Sequence, residues 1–281
     1  MEICRSRESL KRSIAARKRE QQTIGFVPTM GALHEGHLSL VRLSLDSCDV
    51  TVCSIFVNPR QFNDQNDYRA YEINLERDAA LLEREGVDIL FAPDVGEMYP
   101  RGFQTVVQVD ELSRPFEGAR RPGHFTGVTT VVCTLLGLVA PDYAIFGEKD
   151  FQQLRIVEQM VEDLGLDVKI VRGPLIRDEC GLALSSRNER LSEGGRQEAH
   201  KIYQALCEMV TVARNGERSC SRICSAGSEI LQTIIEGQIE YIAIVDEVAL
   251  GELAEISQTA RILVVVQVEG VRLLDNMRIE L

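Results

Sequence analysis

The sequence has no apolar run long enough to cross a bilayer. Its longest, VTTVVCTLLGLVA from Val128, is interrupted by threonines and falls short of the roughly 20 residues a helical span needs, so no membrane partner is expected. Positive charge is scarce: 31 Lys and Arg stand against 43 Asp and Glu, for a formal charge of -12. That balance argues against a broad electrostatic footprint for nucleic acid, although a local cationic pocket is compatible with it. Nowhere do the eight cysteines form a Cys-x-x-Cys pair. Without metal spacing or a signal peptide ahead of them, they read as reduced thiols of a cytoplasmic protein, with Cys220 and Cys224 neighbours on one helix. The opening stretch MEICRSRESLKRSIAARKRE is basic, but Glu2, Glu8 and Glu20 count against a transit peptide and favour an amphipathic first helix. Neither G-x-G-x-x-G nor G-x-x-x-x-G-K-[ST] occurs, so the common dinucleotide and P-loop readings lack support. There is no internal repeat and no low-complexity linker.

What is present is enough for a sizeable core: 281 residues, 44% of them apolar, suit one large or two ordinary domains. In the first part of the chain, short β-branched runs alternate with helical patterns. TIGFVP, DVTVCSIFV, VDILFAP, YAIFG and VKIVRGP read as buried strands, separated by stretches such as HLSLVRLSLDSC and ERDAALLEREG. This order implies a parallel sheet covered by helices on both faces. Beyond about residue 175 the pattern changes to two helices, RQEAHKIYQALCEMVTVAR and CSRICSAGSEILQTIIEG, followed by the strands IEYIAIVD, RILVVVQV and VRLLDN. VEGV between the last two suits a hairpin turn. The expected class is therefore α/β. A Rossmann-like nucleotide-binding domain spans 1–175, and a smaller α+β domain over 176–281 covers the active site.

Two of the four histidines fall in PTMGALHEGH. His34 and His37 are three apart, whereas H-E-x-x-H places its ligands four apart on one helical face with a glutamate between. The remaining histidines, His124 and His200, bring no matching cysteine or acidic cluster, so metal ligation is disfavoured and no metal site is assigned. Surface histidines on a turn are the plain alternative. Their context favours a ligand: TIGFVP is a strand, Gly31 permits a tight turn, and a helix follows with Leu38, Val41 and Leu45 on one face. A helix N-terminus at the carboxyl edge of a parallel sheet binds phosphate through free N–H groups and the helix dipole. Gly36 would admit a base or sugar close to the backbone, and His37 would donate to a phosphate whose charge grows as pyrophosphate leaves.

Two further stretches extend this constellation. FGEKDFQQ sets Gly147, Glu148, Lys149 and Asp150 directly after the strand YAIFG, at the same sheet edge as the histidine turn. LALSSRN sets Ser185, Ser186 and Arg187 in a loop whose hydroxyls and guanidinium suit a triphosphate. Taken singly, Lys149 is equally a surface charge and Ser-Ser-Arg-Asn equally a helix cap.

Together, PTMGALHEGH, FVNPRQF, RRPGHFTGV, GEKDFQQL, GLALSSRN and the late RLLDN closely resemble the pantothenate synthetases, the pantoate–β-alanine ligases of the HIGH-motif nucleotidylyltransferase superfamily. The resemblance covers nearly the whole chain. It implies a cytoplasmic homodimer that uses ATP and Mg2+, the metal bound mainly through the ATP phosphates. Pantoate would attack the α-phosphorus to give pantoyl adenylate and pyrophosphate; β-alanine would then displace AMP. Carried over, ATP would be held by Met30, Gly31, His34, Gly36, His37, Gly147, Glu148, Lys149, Asp150, Ile176, Leu184, Ser185, Ser186 and Arg187. His37 is the implied proton donor, and His34, Lys149 and Arg187 offset phosphate charge. Gln61 and Gln153 would hold pantoate, with Gln61 also near β-alanine and Asn58 either a further contact or simply a turn residue before Pro59. Neutral amides can bond pantoate's oxygens without a cation that would blunt the nucleophile. The chain departs from the family in having Cys180-Gly181 where Asp-Gly is usual, with Asp178 and Glu179 just before. A metal hydrolase, a non-catalytic nucleotide-binding regulator and an adenylyltransferase for another acid remain as alternatives.

Overall fold

The computed structural model describes residues 1–63, 68, 71 and 74–281. They divide into two compact units: Met1–Glu148 with Gln152–Pro174, and Leu175–Leu281 with the short stretch Lys149–Phe151.

The first unit is built on a six-stranded, wholly parallel sheet. Its strands are β1 (Glu2–Cys4), β2 (Ile24–Thr29), β3 (Val50–Ile55), β4 (Ile89–Phe91), β5 (Tyr143–Gly147) and β6 (Lys169–Gly173), ordered β1-β4-β3-β2-β5-β6. Every residue of β3 is buried, so both faces of the sheet are covered there. Helix α1 (Arg7–Arg19) packs on α4 (His124–Val139), which lies against β2. Helix α2 (Glu35–Ser47) lies on β2, β3 and β5 and meets α3 (Leu75–Glu85). Val27, Leu38, Val41, Cys53 and Leu82 share one apolar cluster there, which joins the β2–α2 crossover to the sheet. Helix α5 (Phe151–Asp163) follows β5.

Two expectations need correction. The amphipathic first helix is real only from Arg7; Glu2–Cys4 before it adds as an edge strand on β4. Three residues with one buried side chain carry too little alternation to register as a strand. VKIVRGP is a strand but not a buried one, because β6 has only one neighbour, β5, and just one of its five residues is buried.

Where the strand order reverses, β2 and β5 lie side by side, and the chain leaves both at their carboxyl ends. The histidine turn follows β2, and Gly147 ends β5 with Glu148 directly after it. This switch point is where open α/β sheets bind ligands, because neighbouring connections depart in opposite directions and leave a crevice.

The second unit pairs two helices with a three-stranded antiparallel sheet. Helices α6 (Glu193–Arg214) and α7 (Cys220–Leu231) pack on β7 (Gln238–Val245), β8 (Ala260–Val268) and β9 (Val271–Ile279). Helix α7 stops at Leu231, short of the Gly237 that its sequence pattern suggested. VEGV does close the β8–β9 hairpin, with Glu269 and Gly270 both at positive φ (51° and 74°), the two-residue turn that matches strand twist. The unit's core runs through Ile202, Leu206, Ile223, Ile262, Val264 and Leu273.

Candidate active site

Both histidines of the HEGH stretch cap one helix. His34 is the N-cap of α2, and its Nδ1 accepts from the Gly36 N–H at 3.1 Å. His37 Nδ1 accepts from the His34 N–H at a long 3.4 Å, closing a reciprocal capping box with imidazoles in place of the usual hydroxyl and carboxylate. The rings lie 4.1 Å apart between centroids. A ring nitrogen that accepts carries no proton, so this geometry assigns the proton of each neutral ring to Nε2. Two such donors at the positive end of a helix suit an anion. Among the described residues, no group of three or more His, Cys, Asp or Glu is placed to hold a metal ion.

The turn ahead of His34 is held by a residue that the sequence reading missed. Gly31 and Ala32 both have positive φ, 86° and 50°. For Ala32 the left-handed region costs about 1–2 kcal/mol. Asp78 of α3 compensates: its fully buried carboxylate accepts from the Ala32 N–H at 2.8 Å and the Leu33 N–H at 3.0 Å. An aspartate in a helical run reads as an ordinary exposed charge until the fold brings it 46 residues back along the chain. Asp78→Asn keeps the shape but turns one acceptor into an NH2 facing an N–H. It is expected to lower stability by about 1–3 kcal/mol and kcat/KM for ATP about tenfold. Denaturant titration and steady-state kinetics check this; values within twofold of the parent would remove Asp78 from the site's support.

Gln61 sits in a polar network that fixes its orientation. Tyr99, whose hydroxyl pKa burial pushes up to about 12, donates to Asn58 Oδ1 at 2.8 Å, and the Arg60 N–H donates there at 3.2 Å. Two donors on Oδ1 settle the Asn58 amide, so Nδ2 donates to Gln61 Oε1 and to the Gly127 carbonyl, both at 3.0 Å. Gln61 Nε2 in turn reaches Met30 Sδ at 2.8 Å, which joins NPRQF to the histidine turn. The stretch RRPGHFTGV grips Gln61 from the other side: Arg121 lies 3.2 Å and His124 Nδ1 2.8 Å from its backbone carbonyl. At Gly127 a Cβ would lie 2.3 Å from the Arg60 carbonyl, so only glycine lets α4 approach this turn. Asn58 thus both caps the turn at Pro59 and contacts Gln61.

The two glutamines of DFQQ separate cleanly. Gln152 is buried, donates to the Leu112 and Pro115 carbonyls and accepts from the Glu117 N–H, so it is structural. Gln153, one position on, is half-buried on the first turn of α5.

In the second unit, Lys149, Leu182, Ser185, Arg187, Asn188 and Asp275 line one recess. Lys149 Nζ is 3.9 Å from Asp150. Ser185 Oγ accepts from the Arg187 N–H at 3.2 Å, so the helix-cap reading of SSRN holds for Ser185. Ser186 opens the 3-10 turn Ser186–Arg190. Ile176 and Leu184 are joined by a backbone bond at 3.0 Å, placing both at the base of the same loop. Asp178 orders that loop: its Oδ1 accepts from the Cys180 and Leu182 N–H groups at 3.0 and 2.9 Å, and its Oδ2 lies 3.3 Å from His200 Nε2. Cys180 itself is exposed. The sequence-derived residues therefore gather in two sets, one on each unit. Met30, Gly31, His34, Gly36, His37, Asn58, Gln61, Gly147, Glu148 and Gln153 belong to the first; Lys149, Asp150, Ile176, Leu184, Ser185, Ser186 and Arg187 belong to the second.

Residues 2–278 match the sequence model of the pantoate-beta-alanine ligase family. A pantothenate synthetase of Thermotoga petrophila is 45% identical over 98% of this chain and 99% of its own. The crystal structure of pantothenate synthetase from Thermus thermophilus superimposes with a TM-score of 0.94 at 46% identity, covering 99% of each chain. A pantoate-beta-alanine ligase from Francisella tularensis, complexed with beta-gamma ATP and beta-alanine, aligns with a TM-score of 0.79 at 34% identity over 99% of this chain and 97% of that one. The fold, the motifs along both units and these full-length matches lead to one family: this chain belongs to the pantoate–β-alanine ligases, the pantothenate synthetases.

Proposed function

We infer that this chain condenses pantoate with β-alanine at the expense of ATP, through a pantoyl-adenylate intermediate, releasing AMP and pyrophosphate. The observation that carries the reading is the pair of histidine caps at the carboxyl edge of β2, in a chain matched from end to end by ligases of this family. A carboxylate is a poor acyl donor because its leaving group would be oxide. Adenylation replaces that group with a stabilised phosphate anion.

In the first step a pantoate carboxylate oxygen bonds to the α-phosphorus and the bond from that phosphorus to the bridging oxygen breaks. His37 Nε2–H donates to the departing pyrophosphate, and His34, Lys149 and Arg187 offset its charge. In the second step the β-alanine amine bonds to the acyl carbon, AMP leaves with the bonding pair, and the new amide loses its extra proton. Gln61, oriented by Asn58 and Tyr99, presents an amide to pantoate and stands near β-alanine. Gln153 is the second pantoate contact. Met30, Gly31, Gly36, Gly147, Glu148, Asp150, Ile176, Leu184, Ser185 and Ser186 complete the nucleotide site. The histidine, lysine and arginine donors assigned to the phosphates suit phosphate oxygens and not Mg2+, which takes oxygen ligands, so Mg2+ would be held mainly by the ATP phosphates and would offset part of their charge. No helix of the described residues is long and apolar enough to cross a membrane. A cytoplasmic homodimer is the assembly we propose, in keeping with its family.

Pyrophosphate exchange tests the order of chemistry. Pantoate alone is expected to drive exchange of labelled pyrophosphate into ATP, because adenylation precedes amine attack. An exchange that strictly requires β-alanine would sink the two-step scheme.

A further inference from the structure

The strand β9 touches two separate stretches that the ATP reading assigns to the nucleotide. Asp275, buried on β9, takes both terminal nitrogens of Arg177, at 2.6 and 2.9 Å. Arg177 also donates to the Gly181 carbonyl at 2.9 Å and stacks 4.5 Å from the Tyr203 ring centroid, so the ion pair anchors the loop leading to Leu184–Arg187. The next residue, Asn276, reaches the other stretch: its Nδ2 donates to the Lys149 carbonyl at 2.9 Å.

The orientation of that amide is decided by its neighbour. Arg261 is a donor only, and it reaches Asn276 Oδ1 at 2.7 Å, so the NH2 must face Lys149. Arg261 is itself locked. Its guanidinium lies 3.9 Å from the centroid of Phe151 and its Nε is 2.8 Å from Glu247. Lys149–Phe151 is thus gripped at its first residue by Asn276 and at its last by Arg261, which accounts for its grouping with the second unit.

We propose that Asn276 is a positioning residue for ATP: with Asp275 and Arg177 it fixes on one strand the placement of Lys149 and of the loop carrying Ser185 and Arg187. The proposal rests on the assignment of these two stretches to the nucleotide. Asp275 and Asn276 are assigned no contact with the reacting atoms. Their effect passes through the Lys149 backbone and the Arg177 guanidinium, and a misplacement of about 1 Å there is enough to lose much of a charge-assisted contact.

The test compares Asn276→Leu, a neutral isostere, with Asn276→Asp, which retains the acceptor for Arg261. Neither can donate to the Lys149 carbonyl. Calorimetric titration with a non-hydrolysable ATP analogue is expected to show affinity about tenfold weaker in both variants. The KM for ATP should rise in parallel while the KM for β-alanine stays within about twofold. A purely structural role would lower the melting temperature of Asn276→Leu and leave analogue affinity unchanged in Asn276→Asp, and that result overturns the proposal. So does an analogue affinity within twofold of the parent in the leucine variant. Because the titration needs no second substrate, it separates this idea from the ligase reading: a parent that binds the analogue but forms no pantothenate fails only the latter.

Discussion

His37→Ala is expected to lower kcat by roughly 10²-fold or more with a much smaller effect on ATP affinity, the scale of losing one preorganised donor to a departing anion. The geometry separates this loss from a folding defect. The bond from the His34 N–H to His37 Nδ1 is long, at 3.4 Å, whereas His34 Nδ1 accepts the 3.1 Å cap bond from Gly36. Losing that long bond is expected to cost about 1 kcal/mol of helix capping, small beside the expected loss in kcat. Steady-state kinetics read together with the melting temperature make the distinction. A kcat within a factor of about three of the parent would mean that His37 Nε2 does not serve pyrophosphate departure.

The second large effect is expected at Arg187. Arg187→Ala removes a guanidinium from the recess shared with Lys149 and Ser185 and should cost about 2–3 kcal/mol in kcat/KM for ATP. Cys180→Asp, which restores the usual family residue a few positions earlier, should be nearly neutral. The structure supplies the reason: Asp178 already holds the loop through the Cys180 and Leu182 N–H groups, and the Cys180 side chain is exposed. Cys180 is the one exposed thiol of the eight: Cys4, Cys53 and Cys220 are buried, burial pushes the Cys53 thiol up to about 12, and Cys48, Cys133, Cys207 and Cys224 are partly covered, so Cys180 is expected to be alkylated first. ATP should slow labelling of Cys180. Equal labelling with and without ATP would place Cys180 away from the nucleotide loop. A Cys180→Asp variant more than about tenfold faster, or roughly 1.4 kcal/mol, would mark this chain as an impaired member of its family.

The histidine turn shows how far local sequence reaches. A strand, a glycine and an amphipathic helix in succession place His34 and His37 at a helix start, because a period of 2 changing to 3.6 across a turn is visible in any chain. Their tautomers were not visible, since these depend on which backbone N–H each ring meets. GEKD and SSRN were likewise legible as donor-rich stretches, but each kept a plain alternative. For Ser185 that alternative holds, as its hydroxyl caps the following turn.

The class of the fold, the β8–β9 hairpin, the donor-rich stretches and, through their order, the family were all written in the chain itself. They rest on periodicity, turn chemistry or motif spacing, which are properties of neighbours along the sequence. Packing was needed to show that Asp78 braces the histidine turn, that Gln152 is buried and hydrogen-bonded to backbone while Gln153 is only half-buried, that Asp178 orders the loop at Cys180, and that Asn276 holds Lys149. The longest of these hydrogen bonds span dozens of residues, such as the 46 between Asp78 and Ala32 or the 127 between Asn276 and Lys149. A polar side chain looks the same in sequence whether it will be solvated or buried. Its partner exists only once the sheet, the helices and β9 have packed, when a polar group shut off from water must be satisfied by whatever backbone the fold has brought beside it.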